Sequence, residues 1–232
     1  MNWLNENRVL TIGIVLVLGF AGFAIAHRGS KSDTPAAPEA AVSQRHDYKT
    51  INPESTMRRG NPDANVSFIQ YSDFLCPSCS YISTQIMPEI DKKYIQTDQI
   101  EYEFRPMAFI ADGSLYSGMG AYCAVEQDKF WTYHDAIYGF VANSVFNERL
   151  DPKTDIILTA GIVKAIAAQI GLNADEFDTC LDSNKYLSTI NDVTQAAKTD
   201  GVTSTPYLLV NGREVTGNPS LQTIDAMIKA AL

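Results

Sequence analysis

Two cysteines separated by two residues are the part of this 232-residue chain with the clearest capacity for chemistry. They are Cys76 and Cys79, in the stretch YSDFLCPSCSYISTQIMPEI. A pair with this spacing can supply half of a zinc site, form a structural disulfide or act as a redox centre. A zinc site needs a second pair of ligands, and a disulfide across so short a loop constrains the unfolded chain little. The position of the pair in the fold must therefore distinguish the three possibilities.

The remaining cysteines and histidines do not have the spacing of metal ligands. Cys123 and Cys180 lie far apart in sequence, and neither belongs to a second pair of closely spaced cysteines. The histidines His27, His46 and His134 are scattered as well. The sequence therefore predicts neither a metal site nor a cofactor, and His134 is expected to be a packed or surface residue.

Cys76 lies between a predicted strand and a predicted helix. Residues 64–74 alternate apolar and polar side chains, which is typical of a strand. The segment 77–94 repeats apolar residues every fourth position, which predicts a helix, interrupted at Pro88 because proline has no N–H. The free N–H groups and the dipole at a helix start stabilise a thiolate, the reactive form of cysteine. This position favours the redox centre, with Cys79 as the more buried partner thiol.

The rest of the domain predicts a mixed α/β sheet interrupted by a block of helices. Residues 100–107 alternate again and predict a second strand. From about residue 113 to 199 strand patterns disappear, and four or five helices are expected, with breaks near 143–155 and 171–173. A hairpin with an Asn211-Gly212 turn follows. The last helix is expected to be capped by Ser220, with Leu221, Ile224 and Ile228 on one face.

The N-terminal part of the chain differs in character from the domain. Residues 9–26 form an uncharged apolar run that is just long enough to cross a bilayer as a helix. It can be an uncleaved signal anchor or a cleaved signal peptide. It is longer than an ordinary signal-peptide core, which favours the anchor. We expect residues 1–27 to be the anchor and residues 28–46, rich in Ala, Pro, Ser and charge, to be a flexible tether. The net charge of -9 argues against nucleic acid as a partner.

Several motifs in one order resemble the DsbA-like thiol:disulfide oxidoreductases, and more narrowly their membrane-anchored forms. The matching segments, from about residue 58 to 232, are YSDFLCPSC, RPM, YCAVEQDKFWTYHDAIY, FDTCLDSNKY and GVTSTPYLLVNG. The resemblance implies a thioredoxin-like α/β fold, from residues 47–112 and 200–232, with an all-helical domain inserted at 113–199. A transmembrane helix would precede this fold.

The resemblance also implies roles for particular residues. Cys76 and Cys79 would be the catalytic pair, with Pro77 and Ser78 between them. Thr205 and Pro206 would form a cis-proline loop that faces the pair and holds substrate. An ordinary proline at the start of a strand is the alternative for Pro206.

Cys123 and Cys180 are expected to form a structural disulfide in the helical domain. An even number of cysteines and an oxidising compartment both favour such a bond. Two buried free thiols are the alternative.

Ser78 is a departure from the best-known family member, which has histidine at this position. Serine can donate a hydrogen bond to a thiolate but brings no positive charge, so the pKa of Cys76 should be lowered less and the protein should be a milder oxidant. Asp73 and Glu103 are candidate proton acceptors near Cys79. A solvated or capping role for these carboxylates is the alternative.

The resulting prediction is an extracytoplasmic enzyme that introduces disulfide bonds into exported proteins. Its partners would be unfolded exported proteins with free thiols and, as the resemblance implies, a membrane quinone-linked reoxidase of the DsbB or VKOR type. We expect a monomer held at the cell membrane by a single span. The alternatives are a reductase or isomerase of the same fold, and a redox-inactive binding module that uses the fold as a scaffold.

Overall fold

A five-stranded β-sheet lies at the centre of the protein, which a computed structural model describes over residues 57–232. The strands are β1 (Arg58–Gly60), β2 (Ser67–Asp73), β3 (Glu101–Met107), β4 (Tyr207–Val210) and β5 (Arg213–Glu214). Their order across the sheet is β1-β3-β2-β4-β5. β2 and β3 run parallel, and the other three pairs are antiparallel.

Eight α-helices accompany the sheet in the described part of the chain. They are α1 (Pro77–Tyr81), α2 (Met87–Ile90), α3 (Asp112–Val125), α4 (Phe130–Ala142), α5 (Ala160–Gln169), α6 (Ala174–Asp182), α7 (Leu187–Thr199) and α8 (Leu221–Ala231). Wider π-helical turns occupy Ile82–Ile86, Asp91–Ile95 and Asn143–Asn147. Five of these helices, α3 to α7, lie between residues 112 and 199, where the sequence predicted four or five.

The helical connection between β2 and β3 is irregular around Pro88. A π-helical turn precedes it, in which the Met87 N–H donates to Ile82 O, five residues back. Pro88 has no N–H, so an α-helical bond to the carbonyl four residues before it cannot form. The chain then resumes as α2 and reaches β3 in the direction that a parallel pair requires.

Alternation along the strands divides the core between the two faces of the sheet. One face carries the aromatic side chains of Phe68, Tyr102 and Phe104, which pack with the residues of α1 and α4. The other carries Tyr71, Met107 and Leu209, which pack against Val193 and Ala197 of α7. Gln70 and Ser72 alternate with Tyr71 and therefore share the first face, beneath α1.

Four details of the sequence prediction differ from the structure. β2 spans seven residues rather than eleven, and β5 is only two residues long. β1 was not predicted, because two arginines and a glycine show no apolar alternation. Ser220 caps α8 as expected, and Ile224 and Ile228 are fully buried. Leu221 was predicted on the same face, but it remains 38% exposed because it lies at the first helical position.

The predicted anchor (1–27) and tether (28–46) lie outside the described residues. Within residues 57–232, none of the helices combines the length and apolar character that a bilayer span requires. The division into a thioredoxin-like domain and a helical insertion at residues 113–199 stays a prediction. The helices between β3 and β4 share a continuous core with the sheet, since Phe104 of β3 packs on Phe130 of α4.

A disulfide connects two helices of this block. Cys123 of α3 and Cys180 of α6 are bonded through their sulfur atoms, with Cα atoms 5.9 Å apart. The bond spans 57 residues of sequence. It therefore ties the start of the helical block to a helix near its end.

Replacing Cys123 and Cys180 together by alanine should lower the free energy of unfolding by about 4 kcal/mol, the loop-closure entropy for a loop of this length. Urea denaturation measures the change. The alanine variant and the reference protein that keeps the Cys123–Cys180 bond should both carry Cys76→Ser and Cys79→Ser. No other thiol can then form a disulfide during unfolding. Equal unfolding midpoints with and without the Cys123–Cys180 bond would contradict the expected stabilisation.

Candidate active site

Cys76 occupies the position immediately before the first residue of α1. β2 ends at Asp73, and the Cys76 N–H donates to Asp73 O at 3.0 Å, which turns the chain into the helix. The Cys76 sulfur then accepts a hydrogen bond from the Cys79 N–H at 3.4 Å, as a helix N-cap does. Pro77 fits the first helical turn because it has no N–H to leave unpaired.

The loop before β4 faces this sulfur from a distant part of the chain. The Thr205–Pro206 peptide bond is cis, and Cys76 Sγ donates to Thr205 O at 3.4 Å. β4 pairs with β2, with Tyr207 opposite Tyr71, so the sheet itself brings Thr205 to the cysteine pair. The structure thus joins two segments that the sequence separates by 129 residues.

The two thiols of the pair have opposite electrostatic environments. A hydrogen bond from the Cys79 side chain, with smaller contributions from Thr205 and the Cys79 N–H, lowers the pKa of Cys76 to about 7. Burial and the charge of Asp73 oppose this shift. Burial, followed by its interactions with Cys76, raises the pKa of Cys79 well above its ordinary value. Near neutral pH, therefore, Cys76 is the thiol that forms the thiolate, and Cys79 keeps its proton.

With Ser78 between the cysteines, the pKa of Cys76 was expected to be lowered only moderately, and a value of about 7 agrees with this. The Ser78 side chain is exposed, and the groups that shift the pKa of Cys76 are Cys79, Thr205 and Asp73. The hydrogen bond from the partner thiol, rather than a serine hydroxyl, is the main stabiliser of the thiolate.

Asp73 is a capping carboxylate. One oxygen accepts from the Leu75 N–H at 2.9 Å, and the other accepts from the N–H groups of Phe109 and Ile110 at 3.0 and 3.3 Å. Burial raises its pKa, while these backbone bonds lower it. Asp73 therefore fixes the loops around the pair, and its charge acts on Cys76.

The interpretation of Glu103 as a proton acceptor near Cys79 was wrong. Glu103 alternates with Tyr102 and Phe104 along β3, so it faces the side of the sheet away from α1. There it binds Arg105 through two hydrogen bonds of 2.8 and 2.9 Å and contacts Arg58 at 3.2 Å. Its carboxylate is thus part of a buried ion-pair cluster.

A buried polar cluster lies beneath Cys79, and sequence reasoning missed it. Gln70 Nε2 donates to Ser72 Oγ at 3.1 Å, and the Tyr102 hydroxyl donates to Gln70 Oε1 at 3.0 Å. Ser72 Oγ also lies 2.7 Å from the Tyr138 hydroxyl. The available signal was the placement of Gln70 and Ser72 at inward positions of a strand whose neighbouring inward residue, Phe68, is apolar.

A groove of about 540 Å³ begins at the cysteine pair. Its walls are formed by α1, the π-helical turn after α4, and the segment from the cis-proline loop to residue 219. Pro77, Ser78 and Pro206 lie at the end nearest Cys76. Tyr81 and Phe146 line it and are 50% and 47% exposed, which is unusual for large apolar side chains. The groove therefore places two exposed aromatic side chains next to the reactive thiol, among polar residues that include Ser204, Glu214 and Asn218.

The described residues contain no group of three or more His, Cys, Asp or Glu side chains that could hold a metal ion. His134 is only 2% exposed and packs edge-on against Phe104 and Tyr138. Burial lowers its pKa, and its Nδ1 lies 2.8 Å from Asp135 Oδ1, so His134 is a packed histidine, as the sequence predicted.

Comparisons with known proteins agree with this geometry. A sequence profile of a family described as thioredoxin matches residues 52–230. A protein of Rickettsia bellii, named for protein-disulfide oxidoreductase activity, is 31% identical over 210 residues, which cover 86% of this chain and 74% of that protein. The chain belongs to the thioredoxin-like protein-disulfide oxidoreductases.

Two solved structures share the fold of this oxidoreductase. Oxidised BdbD from Bacillus subtilis matches it with a TM-score of 0.66 at 20% identity, over 75% of this chain and 91% of that one. The alpha-DsbA1 of Wolbachia pipientis matches with a TM-score of 0.61 at 23% identity, over 75% and 89% of the two chains. The predicted thioredoxin-like α/β fold with additional helices is thereby confirmed.

Replacing Cys79 by alanine should raise the pKa of Cys76 in the reduced oxidoreductase, because the hydrogen bond from the Cys79 thiol is the largest contribution that lowers it. The ultraviolet absorbance of the thiolate, titrated with pH, measures the value directly. The unsubstituted protein should titrate at about 7. Replacing the exposed Ser78 by alanine is the matched control and should leave the midpoint in place. A midpoint near the ordinary value of ~8.5 in the unsubstituted protein would contradict the assignment.

Proposed function

We propose that this protein is a dithiol oxidase that transfers the Cys76–Cys79 disulfide to exported proteins with free thiols. The observation that carries the proposal is the position of Cys76 at the start of α1, facing the cis Thr205–Pro206 peptide and paired with a fully buried Cys79. A low pKa at Cys76 stabilises the reduced form relative to the disulfide, and this makes the disulfide an oxidant. Exposure assigns the attacked position to Cys76, because it is 6% exposed beside the Thr205 loop whereas Cys79 is fully buried.

The reaction proceeds through a mixed disulfide. A substrate thiolate attacks Cys76 Sγ, a new S–S bond forms, and the electron pair of the broken bond passes to Cys79 Sγ, which takes up a proton. The second substrate thiolate then attacks the substrate sulfur of the mixed disulfide. Cys76 leaves as a stabilised thiolate, so the substrate is oxidised by two electrons and the enzyme dithiol is reduced.

The loop at Thr205 and Pro206, together with the groove beside it, would hold the substrate chain. Thr205 O lies within hydrogen-bond distance of Cys76 Sγ, so main chain bound along this loop would present its cysteine to the reactive sulfur. The exposed aromatic side chains of Tyr81 and Phe146 would cover apolar residues that flank that cysteine. Unfolded proteins expose such residues, whereas folded ones bury them.

A pKa of about 7 at Cys76 matches the thioredoxin-like end of the range for such cysteines, so the oxidase direction is supported instead by the oxidising compartment that the Cys123–Cys180 bond indicates. The strongest disulfide oxidants have a reactive cysteine with a pKa near 3.5, and thioredoxin-like reductants have one near 7. In this protein the partner thiol, rather than a positive charge, stabilises the thiolate, and it does so only in the reduced form. A reductase or isomerase would therefore have the same fold and the same cysteine pair as the oxidase. It would differ in how strongly the Cys76 thiolate is stabilised.

An oxidase of this kind would work outside the cytoplasm, anchored by residues 1–27 and spaced from the membrane by residues 28–46. The disulfide between Cys123 and Cys180 supports an oxidising compartment, since cytosolic thiols are kept reduced. A monomer whose catalytic domain lies outside the cytoplasm would be reoxidised by a membrane quinone-linked enzyme of the DsbB or VKOR type.

Incubation of the oxidised protein with reduced, unfolded ribonuclease tests the proposed direction. Formation of ribonuclease disulfides, with stoichiometric loss of the Cys76–Cys79 bond, is the expected result. The Cys76→Ser variant should be inactive, and the Cys123→Ala/Cys180→Ala variant should keep the reaction. Reshuffling of scrambled ribonuclease without net oxidation would identify an isomerase, and no reaction of either kind would identify a binding module.

Alanine at Tyr81 or Phe146 should raise the KM for an unfolded protein substrate about tenfold, which corresponds to ~1.4 kcal/mol for one aromatic contact. The rate with dithiothreitol should not change, because a small dithiol does not need the groove. Steady-state kinetics with both substrates separate the two effects. Ile156→Ala is the matched control, since Ile156 is 81% exposed but lines a different cleft. An unchanged KM in both groove variants would exclude the groove as the substrate site.

A further inference from the structure

The surroundings of Cys76 also suit a reaction with a small oxidant in place of a protein. Cys76 and Cys79 are free thiols, and Cys76 is 6% exposed whereas Cys79 is fully buried. The Cys76 sulfur lies where α1 begins and accepts the Cys79 N–H at 3.4 Å, a position that stabilises a thiolate. The pKa of Cys76, about 7, agrees with this placement. An accessible thiolate next to a second thiol is the arrangement that peroxides oxidise reversibly.

The carbonyl oxygen of Thr205 provides an acceptor for the O–H group of a hydroperoxide. In the thiol form, Cys76 Sγ donates to this oxygen at 3.4 Å. Once the sulfur has lost its proton it has nothing to donate, so Thr205 O becomes available to another donor. A hydroperoxide has one O–H group, on the oxygen that a thiolate attacks. Donation to Thr205 O therefore holds that oxygen beside the Cys76 sulfur.

The groove beside the cysteine pair has room for an apolar group. It begins at Pro77, Ser78 and Pro206 and has a volume of about 540 Å³. Tyr81 and Phe146 line it and are 50% and 47% exposed. A ligand that covers these rings removes apolar surface from water, which is favourable. The groove therefore favours a hydroperoxide with an apolar group over hydrogen peroxide, which has none.

We propose that the reduced protein also reduces organic hydroperoxides, with the apolar group of the hydroperoxide in the groove and its O–H group on Thr205 O. This activity goes beyond the transfer of disulfides to exported proteins, because the hydroperoxide is the oxidant and no protein thiol of a substrate takes part. It regenerates the Cys76–Cys79 disulfide without a membrane partner.

The reaction consumes one hydroperoxide for each cysteine pair. The Cys76 thiolate attacks the terminal oxygen, the O–O bond breaks, and the alkoxide that leaves takes up from solvent the proton that Cys76 released. Cys76 is then a sulfenic acid, and the hydroperoxide has become an alcohol. Cys79 Sγ attacks Cys76 Sγ, an S–S bond forms, and the hydroxide that leaves takes the thiol proton of Cys79 to become water. The dithiol has lost two electrons, and the hydroperoxide has gained them.

The position of Cys79 limits the oxidation to the disulfide. A sulfenic acid that meets no thiol is oxidised further to sulfinic acid, which is irreversible in most proteins. Cys79 lies one helical turn from Cys76, and its N–H is 3.4 Å from the Cys76 sulfur, so the partner thiol is close to the oxidised atom. Full burial keeps Cys79 itself from reacting with the hydroperoxide.

Stopped-flow kinetics of the reduced full chain with cumene hydroperoxide and with hydrogen peroxide test the proposal. Free cysteine, which has no groove, gives the intrinsic ratio of the two rates. The protein should favour cumene hydroperoxide about tenfold more than free cysteine does, the effect of one well-placed apolar contact. Alkylation and mass spectrometry should show one hydroperoxide consumed for each Cys76–Cys79 bond formed.

Alanine at Tyr81 or Phe146 should lower this preference towards that of free cysteine. Both side chains are half exposed, so the variants should fold, and circular dichroism checks this. Ile156→Ala is the matched control and should keep the preference, because Ile156 is 81% exposed but lines a different cleft.

Cys79→Ala separates the two steps of the reaction. The first step should persist, and dimedone should trap a sulfenic acid at Cys76. Excess hydroperoxide should convert this sulfenic acid to sulfinic acid, because no second thiol is left to form the disulfide.

Two results would overturn the proposal. One is a preference for cumene hydroperoxide that equals that of free cysteine, or that neither Tyr81→Ala nor Phe146→Ala lowers. The other is sulfinic acid at Cys76 of the unsubstituted protein in place of the disulfide. Neither result bears on the proposed oxidase, which is assayed with the preformed disulfide and reduced ribonuclease.

Discussion

The hydrogen bonds received by the Cys76 sulfur are the interaction on which the remainder of the site depends. The sulfur lies where α1 begins, and it accepts hydrogen bonds from the side chain and the N–H of Cys79 and from the side chain of Thr205. These contacts favour the anion against the opposing effects of burial and of Asp73. Because each unit of pKa corresponds to ~1.4 kcal/mol, such bonds are large enough to set the preferred redox state of the pair.

Three parts of the fold place residues around the Cys76 sulfur, and each of them involves β2. The parallel pairing of β2 with β3 requires a helical crossover, and the crossover begins with α1 at the cysteine pair. The antiparallel pairing of β4 with β2 places Thr205 against Cys76. Asp73 at the end of β2 fixes the loop after β3 through its bonds to Phe109 and Ile110. One strand, β2, therefore organises all three sides of the site.

Local patterns were enough to predict the elements that carry the site. Apolar alternation before Cys76 predicted β2, and apolar residues at every fourth position after it predicted the first helical segment. The Asn211-Gly212 turn predicted the hairpin, and both residues have the positive φ that this turn requires. The role of Glu103 was predicted wrongly because the sequence does not show which face of the sheet α1 covers. Strand alternation alone places Glu103 on one of the two faces without saying which one holds the cysteine pair. The Ser72–Tyr138 contact joins residues 66 positions apart, and no local pattern contains it.

The reduction potential of the Cys76–Cys79 couple, measured in the full chain by equilibration with glutathione, tests the central claim most directly. A thiolate stabilised by the partner thiol in the reduced form predicts a value between about -270 mV, typical of thioredoxin, and about -120 mV, typical of the strongest oxidants. A potential below about -270 mV would mean that the disulfide is the favoured form. That result would contradict an oxidase and would make the protein a reductant.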